Sequence, residues 1–211
     1  MRRFVYLALL VAAAVVPSAS TAVDLRLPGT IAYSDRIWRP NSDSWEILVF
    51  KATGGATRSM TENVSCFDAG DPAWSRGGSM LAFECGVGSN EIAVIWHDGS
   101  GFRRLPGHAS GVSPSWSPDR QEVAFVGKEW IWIANIWSGR KRKVTRSSGY
   151  DLSWSPDGKR IVFDGGKKSG IWIVGVDGRG LRRLTRRQDR DPAWSADGRR
   201  IAFMRGHGVY T

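Results

Sequence analysis

Few residues in this chain of 211 have the types and spacing that chemistry demands. Cys66 and Cys85 are its two cysteines, and an isolated pair suits a disulfide better than a zinc site, which usually needs four ligands. Asp71, Asp151 and Asp191 each stand three residues before a tryptophan, so they recur at one place in a repeated pattern. Such carboxylates could ring a cation or contact a partner at a channel end, or simply bond to their own loops; calcium would want six to eight oxygens from a compact set. His97, His108 and His207 are the three histidines, and none has the i, i+4 spacing of a metal pair. No nucleophile elbow of the Gly-X-Ser-X-Gly type is present. Gly99-Ser100-Gly101 and Gly178-Arg179-Gly180 begin a dinucleotide fingerprint, but the third glycine is missing and no helix follows. These residues indicate no catalytic machinery, no cofactor and no metal.

The elements that must position these groups come from repetition. DLSWSPDGKRIVF (Asp151 to Phe163) recurs as DPAWSRGGSMLAF, SPSWSPDRQEVAF and DPAWSADGRRIAF, with Trp74, Trp116, Trp154 and Trp194 spaced 42, 38 and 40 residues apart. A period near 40 residues marks a propeller or solenoid array. Each copy reads as a hairpin. A short strand around the tryptophan enters a Ser-Pro-Asp-Gly turn, and a return strand ends in Phe83, Phe125, Phe163 or Phe203 with a large, small, large order. A third strand, such as Ile92 to Trp96, and a fourth, such as Arg182-Arg183, complete a four-stranded unit. The four tryptophans and four phenylalanines are expected in the core between neighbouring sheets. Trp130, Trp132, Trp137 and Trp172 vary between copies and are candidates for a partner-facing rim.

The copies are not all complete. Gly29 to Tyr33 matches a return strand with no tryptophan strand before it, and the fifth copy ends soon after Phe203. A propeller often closes by filling one blade from both chain ends. Here the fifth copy's two strands could join the third and fourth strands of the first, leaving the strand at Tyr33 over. Cys66 and Cys85 fall at the entrance and exit of one hairpin, which share an end, so a disulfide is expected.

The N-terminus reads as a leader. Met1-Arg2-Arg3, an apolar run from Phe4 to Val16 and the small residues up to Ala22 have the three regions of a secretory signal peptide. The run is shorter than the roughly 20 residues of a membrane span. Residues 1–22 are therefore expected to be removed and 23–211 to form the domain, periplasmic or secreted and not membrane-spanning; an uncleaved anchor is the alternative. The chain carries 30 Lys and Arg against 20 Asp and Glu, and losing Arg2 and Arg3 leaves it basic. The excess lies late, at Arg140 to Lys143 and Arg179 to Arg190. An exported basic protein is expected to meet a protein partner, a glycan or an anionic surface rather than nucleic acid.

The repeated (D)PAWSPDG(K/R)RIAF, followed by an Ile/Trp-rich strand, an Asp-Gly turn and Arg-Arg-Leu-Thr, closely resembles the WD40-like Pro-Asp repeats of TolB-type β-propellers from about Gly29 onward. The resemblance implies an all-β propeller of TolB-like four-stranded blades: about five here with incomplete terminal blades, against six in the full family form. It also implies an exported protein-binding scaffold of the cell envelope, without enzymatic activity. Arg76-Gly77-Gly78, Asp119-Arg120 and Ser113 depart from the pattern, and no space precedes Gly29 for the N-terminal α/β domain of TolB. A glycan- or small-ligand-binding propeller is the alternative function, and a propeller lyase or hydrolase using the channel carboxylates is a third.

Overall fold

The computed structural model describes residues 29–39, 42–86, 90–146 and 149–211. The leader expected at 1–22 lies outside the described residues. Five separate antiparallel sheets follow one another along the chain as a five-bladed β-propeller. The first holds β1 (Thr30–Arg39), β2 (Ser42–Lys51) and β3 (Arg58–Ser59). The second holds β4 (Ala69–Trp74), β5 (Met80–Cys85), β6 (Glu91–Trp96) and β7 (Arg103–Arg104). The third is β8 (Val112–Trp116), β9 (Glu122–Val126), β10 (Trp130–Asn135) and β11 (Lys141–Arg146). The fourth is β12 (Ser153–Trp154), β13 (Arg160–Asp164), β14 (Ile171–Gly175) and β15 (Arg182–Arg183), with a 3-10 turn at Gly166–Lys168. The fifth is β16 (Asp189–Trp194), β17 (Ile201–Arg205) and β18 (Gly208–Tyr210).

The hairpin of each repeat is closed by side chains as well as by backbone. In the third, fourth and fifth sheets the serine after the tryptophan donates to the turn aspartate: Ser117 to Asp119, Ser155 to Asp157 at 2.6 Å, and Ser195 to Asp197 at 2.6 Å. The same serine oxygen accepts the first amide of the return strand, from Glu122 at 2.9 Å, Arg160 at 2.9 Å and Arg200 at 3.0 Å. The aspartate in turn accepts an amide two residues on, at 3.0 Å in all three turns. This is the local bonding that makes Ser and Asp turn formers. In the second sheet Arg76-Gly77 leaves no aspartate, and Ser75 reaches Ser79 instead at 3.4 Å while still accepting from Met80.

Apolar residues pack between consecutive sheets. Ile47, Phe83 and Ile95 lie between the first and second, Trp116 and Phe125 between the second and third, and Trp154, Ile161 and Phe163 between the third and fourth. Trp194 and Phe203 pack on Val162, Ile171 and Ile173 between the fourth and fifth. Trp74 packs partly buried in the first of these layers. Backbone and side chain also stitch neighbouring sheets: Trp154 N donates to Ser115 Oγ at 3.0 Å, Trp194 N to Ser153 Oγ at 3.1 Å, and the Trp116 indole to Ala73 O at 3.0 Å. Gly178, at φ +83°, tucks its turn under β11; a Cβ there would stand 2.6 Å from Val144 O. Among the described residues no core cluster joins the first sheet to the fifth. Among the described residues strands from the two ends do not join: β1 pairs along its whole length with β2, and β16, β17 and β18 form a sheet in that order.

Candidate functional site

The innermost strands of the sheets begin at one end of the propeller, and there the repeat does something a regular strand does not. Asp71, Ser113, Asp151 and Asp191 occupy equivalent positions and share positive φ values of 46°, 54°, 55° and 53°. A non-glycine residue tolerates this region poorly, with Asp among the better-suited types. In three of the four the next residue is proline, and the ladder shifts register across the pair: between Gly70 and Ala73, Val112 and Ser115, and Arg190 and Ala193. Two residues therefore oppose one, Phe83, Phe125 or Phe203, which defines a β-bulge. Proline lacks an N–H and fits where the ladder offers no partner. The bulge bends the strand and re-aims the Asp or Ser side chain out of the alternating pattern.

These carboxylates come together with two that the repeat does not announce. Glu84, at the end of β5, is 8% exposed and lies opposite Gly70, so its carboxyl meets Asp71. Burial, reinforced by the hydrogen bond and charge of Asp71, pushes the Glu84 carboxyl up to about 8. Two donors hold its oxygens, Ser113 N at 2.9 Å and Asn90 Nδ2 at 2.8 Å. Ser113 Oγ donates in turn to Asp71 at 3.5 Å. On the other side, burial followed by the charge and hydrogen bond of Asp191 pushes Asp151 up to about 7, with Asp71 and Asp164 adding to the field. Asp164, at the end of β13, is also raised by burial and by Asp191, against the opposing pull of Gly166 N–H and Arg190. Glu84 beside Asp71 and Asp151 beside Asp191 are thus both pushed up, the expected behaviour of like charges forced together in a partly dry place.

The three aspartates singled out by sequence are therefore gathered at one mouth rather than dispersed as separate loop ties. Glu84 and Asp164 were legible only as an acidic residue directly after the return-strand phenylalanine, where the other copies carry Val126 and Met204. Among the described residues no set of three or more His, Cys, Asp or Glu side chains is disposed to hold a metal ion. Cys66 and Cys85 are joined, with Cα atoms 5.4 Å apart, and tie the connection before β4 to the end of β5 beside the mouth. Of the rim tryptophans, Trp132 and Trp172 pack against the core clusters, whereas Trp137 is half exposed with the Arg103 guanidinium 3.9 Å over its ring. Trp130 is partly buried and stacked by Lys143 at 4.7 Å and Arg146 at 5.4 Å. Their faces are already occupied by this chain's own cations. No helix among the described residues is long and apolar enough to cross a membrane.

The fold is similar to several solved structures. TolB from Acinetobacter baumannii superposes with a TM-score of 0.68 at 21% identity over 87% of this chain, and a putative TolB from Agrobacterium tumefaciens with 0.63 at 20% over 85%. An oligogalacturonate lyase from Vibrio parahaemolyticus gives 0.54 at 16% over 75%. At these identities the likeness is one of fold. The chain spans 49% of the Acinetobacter protein, 79% of the Agrobacterium one and 50% of the lyase. No curated protein matches it in sequence. The family model of the TolB β-propeller domain matches residues 89–208, which is more than half of the chain and runs from β6 in the second sheet into the fifth sheet, so the chain belongs to the TolB β-propeller family.

Proposed function

We propose that this chain is an exported, non-enzymatic scaffold that binds a protein partner in the cell envelope through the carboxylate-lined mouth of its propeller. Export is supported by the leader pattern of residues 1–22 and by the Cys66–Cys85 bond, since disulfides persist mainly in oxidising compartments. The observation that carries the binding role is the mouth itself. Asp71, Asp151 and Asp191 are held at positive φ at the inner ends of separate sheets, Asp71 and Asp191 on a bulge, and a rigid acidic ring of this kind suits a basic segment of a partner. Binding a cation from the partner would favour the ionised carboxylates and release bound protons.

One observation favours a second reading. Carboxyls poised at about 8 and about 7 could exchange protons with a substrate near neutral pH, and an oligogalacturonate lyase has a similar fold. A glycan would then be the ligand, bound or cleaved.

The two are separated by placing a photoreactive side chain at Tyr150, which is 54% exposed beside Asp151, and illuminating cells that export the protein. The expected result is a protein adduct that disappears when Asp151 and Asp191 are changed to Lys in a variant that still melts cooperatively. Adducts that survive the double change would refute the mouth as the binding site. Turnover of an acidic polysaccharide by the parent protein, lost in Asp151→Asn, would replace the scaffold with an enzyme.

A further inference from the structure

The end of the propeller that carries the mouth also carries its most exposed aromatic rings. β1 and β2 run ten residues each, whereas the other strands have two to six. Asp35 opposite Glu46 lies at the level where β5 and β6 stop at Cys85 opposite Glu91, because Met60 N and Leu105 N close on Ile47 O and Ile92 O in the same way. The strand segments 36–39 and 42–45 therefore project past the rest of the mouth end. Trp38 on this projection is 73% exposed even with the Arg36 guanidinium 4.5 Å over its ring. Phe67, in the connection that Trp45 N grips through Asp68 Oδ1 at 3.0 Å, is 80% exposed.

Across the mouth, the fourth sheet places a cluster of cations at the same end. Lys167 and Lys168 occupy the turn between β13 and β14, and Arg186 and Arg187 the connection after β15. Arg183 clamps the two segments together, its Nη2 donating to Ser169 Oγ at 2.9 Å and to Arg186 O at 3.1 Å. All four cations are exposed. Lys167, Lys168 and Arg186 have no carboxylate partner among the described residues; Arg187 feels Asp189, whose oxygens are already taken by Arg205 at 2.7 and 2.8 Å. On the projecting segments, Asp43 is paired to Arg36 at 2.7 Å.

Rings and cations set apart on one end of a rigid body fit a surface better than a pocket. Each isolated ring would need its own complementary cavity in a folded partner, whereas the headgroup layer of a bilayer accepts aromatic rings without shape matching. Unpaired Lys and Arg add attraction to anionic headgroups, and the two signals together give stable adsorption where one alone does not. We propose that the mouth-bearing end of this propeller adsorbs to an anionic lipid surface, with Trp38 and Phe67 at headgroup depth and Lys167, Lys168, Arg186 and Arg187 against lipid phosphates. This docking is not inferred from what the mouth itself binds, although it covers the same end of the propeller.

Co-sedimentation of the purified protein with phosphatidylcholine vesicles, with and without phosphatidylglycerol, tests it. Binding is expected only when the anionic lipid is present. Lys167→Glu with Lys168→Glu is expected to weaken it by about tenfold or more, since each basic residue near such a surface contributes about fivefold. Phe67→Ser is expected to weaken it several-fold without a change in melting temperature. Arg199→Glu with Arg200→Glu makes the same charge change in the turn at the opposite end and is expected to leave binding near the parent value. Absence of binding to anionic vesicles, equal loss in the two charge-reversed variants, or a Phe67→Ser variant that binds like the parent would each overturn the proposal.

Discussion

In the fourth and fifth sheets aspartate stands at both ends of the hairpin, Asp151 with Asp157 and Asp191 with Asp197, and across the propeller the aspartates of the two ends behave in opposite ways. At the turn end, Asp119, Asp157 and Asp197 are exposed, and a serine hydroxyl with a backbone amide holds each carboxyl below its ordinary range. At the mouth end, burial and neighbouring carboxylates push Asp151 and Glu84 up. One residue type thus closes a turn where donors surround it and stores repulsion where acceptors do. The difference teaches that the mouth is not needed to fold the hairpin: its cost is carried by a frame secured elsewhere, as is common at functional sites.

The tryptophan lies between the two ends in each repeat, so removing it should abolish the contrast by loosening the frame itself. Trp154 is 8% exposed among Val126, Ile161 and Phe163, and Trp154→Ala is expected to cost about 3–5 kcal/mol, measured by denaturant unfolding. A variant as stable as the parent would show that the indole does not support the sheets. A smaller but more specific effect is expected at Glu84. Its folded carboxyl holds a proton more tightly than the ordinary 4.5, so the associated stability is complete below about 4.5 and is lost as pH rises through about 8. Glu84→Gln should therefore raise the melting temperature above that of the parent at pH 8.5, with the gain shrinking toward pH 5. The turn aspartates have the reverse sign, their contribution being present above the ordinary carboxylate range and lost as pH falls through the depressed folded value. Asp157→Ala is expected to lose only about 1 kcal/mol, the scale of one net hydrogen bond, and to do so at neutral but not at strongly acidic pH.

Most of the fold was legible because its signal is repeated. Trp, Ser-Pro-Asp-Gly and a large, small, large return strand recur in register, and each feature has a local cause in turn bonding or strand alternation. The entrance-and-exit argument for Cys66 and Cys85 likewise needed only hairpin geometry. The mouth was half legible. Asp71, Asp151 and Asp191 repeat, but their convergence depends on a positive φ at each and, at Asp71 and Asp191, on a two-against-one bulge, which alternation rules do not foresee. Glu84 and Asp164 share the position after the return-strand phenylalanine, but Val126 and Met204 hold it in the other copies, so no repeated acid marks it; Glu84 becomes visible only when Gly70 is set opposite it. The rim tryptophans divide for a tertiary reason: Trp132 and Trp172 pack on the core clusters, while Trp137 stays half exposed with Arg103 over its ring.

Each sheet is bonded to the one before and the one after, through Ser115 to Trp154 and Ser153 to Trp194, while no core cluster bridges the first and last among the described residues. Such an arrangement behaves thermodynamically as a short linear stack. Among the described residues its inner members are flanked on both faces, and its outer members on one. Fraying is then cheapest at the outer members, and a load applied at one end of the arc reaches the other only by passing through every interface in turn.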